Sequence, residues 1–124
     1  MKVTLKELYA SIGGDYEQAV RVLRMDKLID KHIRKLTQNG VIDQLLEAGK
    51  AMDPTLLFET AHATKGVCAN LGLRALADMA SDIAEEYRPG TARKMTDDQV
   101  KQKLDQIAEL YRRTAEGIRT YGEN

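Results

Sequence analysis

The side chain best placed to do chemistry in this 124-residue chain is His62, in the run Ala61-His62-Ala63-Thr64-Lys65-Gly66-Val67-Cys68-Ala69-Asn70-Leu71-Gly72-Leu73. At about 100° per residue, Leu57, Ala61, Thr64, Cys68 and Leu71 recur at steps of four and three and form one buried helical stripe. His62 lies about 140° from the centre of that stripe, a direction in which a core histidine does not point. Free imidazole titrates at about pH 6.5, so at neutral pH a ring nitrogen is available as a nucleophile without a dedicated base. Lys65, at i+3, comes within about 5–6 Å at the Cβ level, close enough for its ammonium to reach an anion held on the ring. Gly66, at i+4, costs a helix about 1 kcal/mol relative to alanine where no turn is needed. Without a Cβ there, another backbone or domain can approach the ring closely. On spacing alone, an ordinary exposed histidine, a solvated lysine and a packing glycine stand as the equal alternative.

These residues need a rigid support, and the flanking sequence supplies one. Thr4 and Glu7 form a capping box that opens a short helix to about Ile12, closed by Gly13-Gly14. Asp15 and Gln18 start a second helix, with Val22, Met25, Ile29, Ile33 and Leu36 facing inward until Asn39-Gly40 ends it. His32 lies within it, as a solvated or partly packed residue. A short piece from Ile42 to about Lys50 extends or kinks away. Asp53-Pro54, a capping residue followed by proline in the first turn, opens the His62 helix, which ends near Asn70 to Gly72. The next helix runs from Leu73 to about Arg88, with Leu76, Met79, Ile83 and Tyr87 or Ala80 inward, and Pro89-Gly90 stops it. In the polar connection that follows, Arg88, Arg93 and Lys94 are expected to be solvated. Thr96 and Gln99 cap the last helix, whose stripe of Val100, Leu104, Ile107, Tyr111, Thr114 and Ile118 repeats at four and three. Helices with one apolar face each are satisfied by an all-α fold, an antiparallel four-helix bundle with a short N-terminal accessory helix.

Composition narrows the functional classes. Basic and acidic side chains balance at 19 each, so no net field favours nucleic acid or an anionic membrane. Two prolines, no tryptophan and one phenylalanine suit helices better than sheets. The start Met1-Lys2-Val3-Thr4-Leu5 has no signal-peptide apolar run, and no segment approaches a membrane span, so a cytoplasmic protein is expected. The lone Cys68 falls on the buried stripe as a small apolar residue. A metal or haem site built from His62, His32 and Cys68 does not converge, and no metal ligand set is assigned. No glycine-rich phosphate loop is present, which argues against an autonomous kinase.

The run from His62 to Gly72 resembles the core motif of the histidine-containing phosphotransfer (HPt) domain, His-x-Leu-Lys-Gly-small-small-x-x-hydrophobic-Gly. Ile12-Gly13-Gly14-Asp15 is similar to the Gly-Gly-Asp stretch that opens the first bundle helix of that family. The resemblance spans nearly the whole chain and implies a single HPt domain over residues 1–124. It further implies a phosphorelay intermediate in two-component signalling: a phosphocarrier, not an enzyme with kinase activity of its own. His62 would take a phosphoryl group from a receiver-domain aspartyl phosphate and pass it to another receiver aspartate. Lys65 would support the phosphate and Gly66 would give steric access, while Phe58, Glu59 and Ala69 flank the nucleophile as receiver-docking residues. Phe58 is equally read as packing against a neighbouring helix. No cofactor of its own is implied; Mg2+ would sit on the partner receiver. The partners are response-regulator receiver domains and a hybrid histidine kinase, with the chain itself a monomer. The alternative is a docking-only bundle that binds a receiver or kinase without carrying phosphate.

Two positions depart from the family pattern. Thr64 stands where leucine or isoleucine is usual, and its hydroxyl can bond back to the carbonyl four residues earlier. Ala84 stands where members often carry a glutamine or glutamate, 22 residues after the histidine, and neighbouring Glu85 points about 100° away. The ring is then left to another group, such as a glutamine on a different helix, or to a looser hold.

Overall fold

A computed structural model of the chain describes residues 2–38 and 40–123. All regular structure among these residues is helical: α1 (Leu5–Ile12), α2 (Tyr16–Leu23), α3 (Asp26–Leu36), α4 (Val41–Ala51), α5 (Pro54–Asn70), α6 (Arg74–Glu86) and α7 (Asp97–Gly122). The starts follow local chemistry. Thr4 and Thr96 each accept a hydrogen bond from the backbone amide three residues on, and Glu7 and Gln99 return the bond, completing both capping boxes. Asp15 caps α2 through the Gln18 amide, and Asp53 caps α5 through the Leu56 amide with Pro54 in the first turn.

The longest helix, α7, is the spine. At about 1.5 Å per residue its 26 residues span about 39 Å. Val100, Leu104, Ile107, Thr114 and Ile118 are buried along it, while Tyr111 is half-buried and its hydroxyl donates to Asp43 of α4 at 3.5 Å. Three walls complete the bundle, two of them packed antiparallel on α7. One is α6, tied to the N-terminal half of α7 by Lys103 and Asp82 at 2.9 Å. The second is composite: α3 lies beside the C-terminal end of α7, where Tyr121 donates to Asp30, and α4 continues the same wall toward the α7 N-terminus. The third is α5, packed between α4 and α6. The walls enclose one apolar core, with Ile29, Ile33, Ile42, Leu45, Leu57, Ala61, Cys68, Ala80, Ile83, Val100 and Ile107 wholly removed from solvent.

The N-terminal segment seals one end of the bundle. The Tyr9 hydroxyl of α1 donates to the Leu71 carbonyl at 2.7 Å in a buried setting, and the Asp15 amide donates to the Gly72 carbonyl at 2.8 Å. Both bonds grip the turn between α5 and α6.

One expected helix is two. The segment opened by Asp15 breaks at Arg24, whose φ of 74° lies in the left-handed region, and α3 restarts after Met25 without a side-chain cap. Val22 and Met25, expected to face inward, are 40% and 53% exposed. A single straight axis cannot both bring Asp15 to the α5–α6 turn and lay Asp30 against Tyr121, so the chain turns between the two contacts. Of the expected terminator Asn39-Gly40, Asn39 lies outside the described residues, and Gly40 adopts φ 70° ahead of α4. The polar connection after α6 is also more ordered than expected. Arg93 and Lys94 are exposed as expected, but Arg93 also pairs with Glu86 and Asp97, and the Lys94 amide donates to Glu86. No helix among the described residues is long and apolar enough to cross a membrane.

Candidate functional site

His62 sits at the middle of α5, eight residues from either end, with its side chain exposed. The opposite side of the helix is anchored by Leu57, Ala61, Thr64 and Cys68, all fully buried. The Thr64 hydroxyl donates to the Thr60 carbonyl at 2.8 Å, the back-bond expected for a threonine mid-helix, and lies 3.4 Å from the Val41 carbonyl of α4. A polar residue in the core is thereby satisfied, and the Cys68 thiol beside it is pushed up to about 12 by burial, which keeps it protonated. The helix cannot roll without breaking this seam, so His62 is held outward.

The ring has one specific neighbour. Phe58, one turn earlier, stacks on the imidazole with centroids 5.7 Å apart and planes 20° from parallel. Phe58 is half-buried and packs against the core, in line with its reading as a packing residue. Among the described residues, neither ring nitrogen of His62 has a hydrogen-bond partner. Ala84, the position expected from the family pattern to carry a glutamine or glutamate, is 3% exposed and its side chain offers no polar atom.

Lys65 is half-buried on the side of α5 that faces α6, and it forms no ion pair within 4.0 Å among the described residues. Its ammonium is felt by Glu85 on α6, whose carboxyl is held below its ordinary range first by the Arg88 hydrogen bond and to a smaller extent by Lys65. Arg88 takes Glu85 through both of its oxygens. The glutamate is thus engaged by the arginine, and the lysine keeps an uncommitted charge next to the imidazole.

Gly66 is exposed, and a Cβ built on it would meet nothing within 4 Å. Internal packing therefore gives no reason for glycine here. Glu59 is exposed on the flank of His62, and Ala69 is half-buried two turns on. His62, Phe58, Glu59, Lys65, Gly66 and Ala69 thus share one face, as their spacing predicts. His32 is elsewhere, on α3, exposed at the rim of a cavity of about 260 Å³ formed with Leu23, Leu36, Val41, Val67, Asn70 and Leu71.

The sequence reading missed one polar residue, Glu86. It is only 6% exposed, and its carboxylate accepts from Arg93 and from the backbone amides of Lys94 and Met95. Burial acts to raise its carboxyl, but these donors outweigh it and the net direction is downward. The only local sign was its spacing three residues after the inward Ile83, with basic residues downstream in the loop. Glu86 holds the α6–α7 connection and lies outside the His62 face.

An exposed imidazole with free nitrogens, an uncommitted ammonium and a cleared approach suit transfer of an anionic group between proteins. The Hpt domain model matches residues 29–110, the greater part of the chain, from α3 into α7. The chain belongs to the Hpt domain family. Hpt domains are helical bundles that act as phosphocarrier modules in two-component signalling, where they interact with receiver domains and histidine kinases. No curated protein and no solved structure matches the chain. The matched span contains all of α5 and therefore the whole His62 face, whereas α1 and α2 lie outside it.

Proposed function

We propose that this Hpt domain is a phosphorelay intermediate carrying its phosphoryl group on His62. The observation that carries the reading is the exposed mid-helix imidazole, with both nitrogens unbonded within the protein, beside a glycine that no internal contact requires. In the forward step the lone pair of Nε2, the nitrogen farther from the backbone, attacks phosphorus of a receiver aspartyl phosphate. The P–N bond forms as the P–O bond to the aspartate breaks, and the aspartate leaves as a free carboxylate. The reverse step loads the aspartate of a second receiver. Mg2+, bound by the receiver, would screen the phosphoryl oxygens from the partner's side. Lys65 would supply the matching charge from this side, and because Arg88 engages Glu85, the lysine is free to do so. Gly66 would let the receiver surface approach, with Glu59 and Ala69 around the contact and Phe58 against the imidazole. In this reading the protein acts as a cytoplasmic monomer.

Incubation with a phosphorylated receiver domain should move acid-labile, alkali-stable label onto the wild-type protein. His62→Gln, with its fold verified by circular dichroism, should take none. Lys65→Ala should slow transfer about tenfold or more while leaving it measurable, the loss of one charged stabilising contact in the transition state. Equal labelling of His62→Gln would sink the assignment. A receiver that binds without moving label would instead favour a docking-only bundle.

A further inference from the structure

The imidazole of His62 projects from a helix surface with no hydrogen bond on either nitrogen, and Ala84 of α6 is a buried methyl group with nothing to donate to it. Something else has to limit its rotation if a receiver is to find the nitrogen in one place. On a helix a histidine side chain has two well-populated χ1 wells and a broad, roughly two-fold χ2, giving about four orientations to choose from. Phe58 is at i−4, the spacing at which two side chains on one helix face meet. Its ring is nearly parallel to the imidazole at 20° with centroids 5.7 Å apart, within the range in which aromatic rings attract. Phe58 is half-buried and packed against the core, so its ring is more restrained than the exposed imidazole.

From this geometry we infer that Phe58 is the positioning residue for His62, selecting the ring orientation from which transfer occurs. The inference rests on the reading of His62 as the phosphoryl carrier. Stacking differs physically from the hydrogen bond an amide would make. A hydrogen bond to one nitrogen fixes the tautomer and occupies a lone pair. A stacked face restrains the plane of the ring and leaves both nitrogens unengaged. Phe58 therefore acts on orientation alone, and its effect belongs to the rate of transfer within the complex and not to the affinity for the receiver.

The test uses a receiver domain that labels the wild-type protein, with Phe58→Leu, which keeps an apolar side chain of similar reach, and Phe58→Tyr, which keeps the ring. Phosphoramidate, a small donor that phosphorylates histidine with loss of ammonia, serves as the control for an intact and accessible imidazole. At saturating receiver, Phe58→Leu should lower the first-order transfer rate about two- to fourfold, the dilution expected over about four orientations. Half-saturation should stay within twofold of wild type, labelling by phosphoramidate should be unchanged, and Phe58→Tyr should restore the rate. A rate loss confined to half-saturation would make Phe58 a docking residue and overturn the inference, as would an unchanged rate. Independently of how the variants fold, nuclear Overhauser effects between the Phe58 and His62 rings should be present in the wild-type protein, and their absence would also overturn it. If the wild-type protein takes no label from receiver or phosphoramidate, the carrier reading falls and takes this inference with it.

Discussion

Gly66 and Gly72 stand six residues apart in the same motif and are there for opposite reasons. A Cβ on Gly66 would enter open space, in a helix where glycine is a poor choice. A Cβ on Gly72 would lie 2.1 Å from the Asp15 carbonyl oxygen, and the residue holds φ at 71°. The second glycine is required by the fold, because the α1–α2 junction closes on the α5–α6 turn through the Asp15 amide and the Tyr9 hydroxyl. The first answers to nothing inside the molecule. The contrast teaches that one end of the motif serves assembly of the domain, and its centre serves something that arrives from outside.

Changes at three positions would break or sharpen that contrast. Gly72→Ala should have the largest effect, a loss of at least about 2 kcal/mol from the strained φ and the displaced Asp15 carbonyl. Denaturant unfolding measures it, and label transfer per folded molecule should be retained. A variant as stable as wild type would mean the junction gives way easily and the two glycines are not opposites. Gly66 should respond the other way. Gly66→Ala should stabilise by about 0.5–1 kcal/mol through helix propensity, and Gly66→Leu should cut receiver-driven transfer by about tenfold or more while the melting temperature holds or rises. A bulky residue that leaves transfer intact would remove the case for an incoming surface.

The smallest effect concerns acid. The Asp15 carboxyl lies below its ordinary range mainly because the Gln18 amide bonds it, with Arg74 and Arg21 adding to the shift against partial burial. A carboxyl lowered in the folded state stabilises it fully above the unfolded value of about 3.9, and this contribution fades as pH falls through the folded value. Between pH 5 and pH 2, Asp15→Asn should therefore lose less stability than wild type. An identical acid profile would show that the junction does not depend on this charge.

Much of the fold was legible because its signals are local. The capping pairs Thr4 with Glu7, Asp15 with Gln18 and Thr96 with Gln99, together with Asp53-Pro54, each act within one helical turn, and every one marks a helix start in the structure. The exposure of His62 was legible for a related reason, since helical geometry fixes its angle to Leu57, Ala61, Thr64 and Cys68 without reference to any other segment. The break at Arg24 was not, because neither glycine nor proline marks it and the cause is two contacts, at Asp15 and Asp30, that one axis cannot make. Glu86 was missed for the same kind of reason. A carboxylate reads as exposed until Arg93, Lys94 and Met95 fold back over it.

Turn-by-turn chemistry in the chain was enough to establish three of the molecule's essentials in outline: where its main helices begin, which face of α5 is polar, and that an imidazole, an ammonium and a glycine share that face. Interactions within four residues carry this information, and they hold whatever the rest of the chain does. Tertiary contact decided the rest: that Ala84 of α6 is buried, that Lys65 of α5 comes near enough to Glu85 of α6 to lower its carboxyl, and that Phe58, on which the His62 ring lies, is packed against the core. These depend on which surfaces of separate helices meet, and that is set only when the whole core closes.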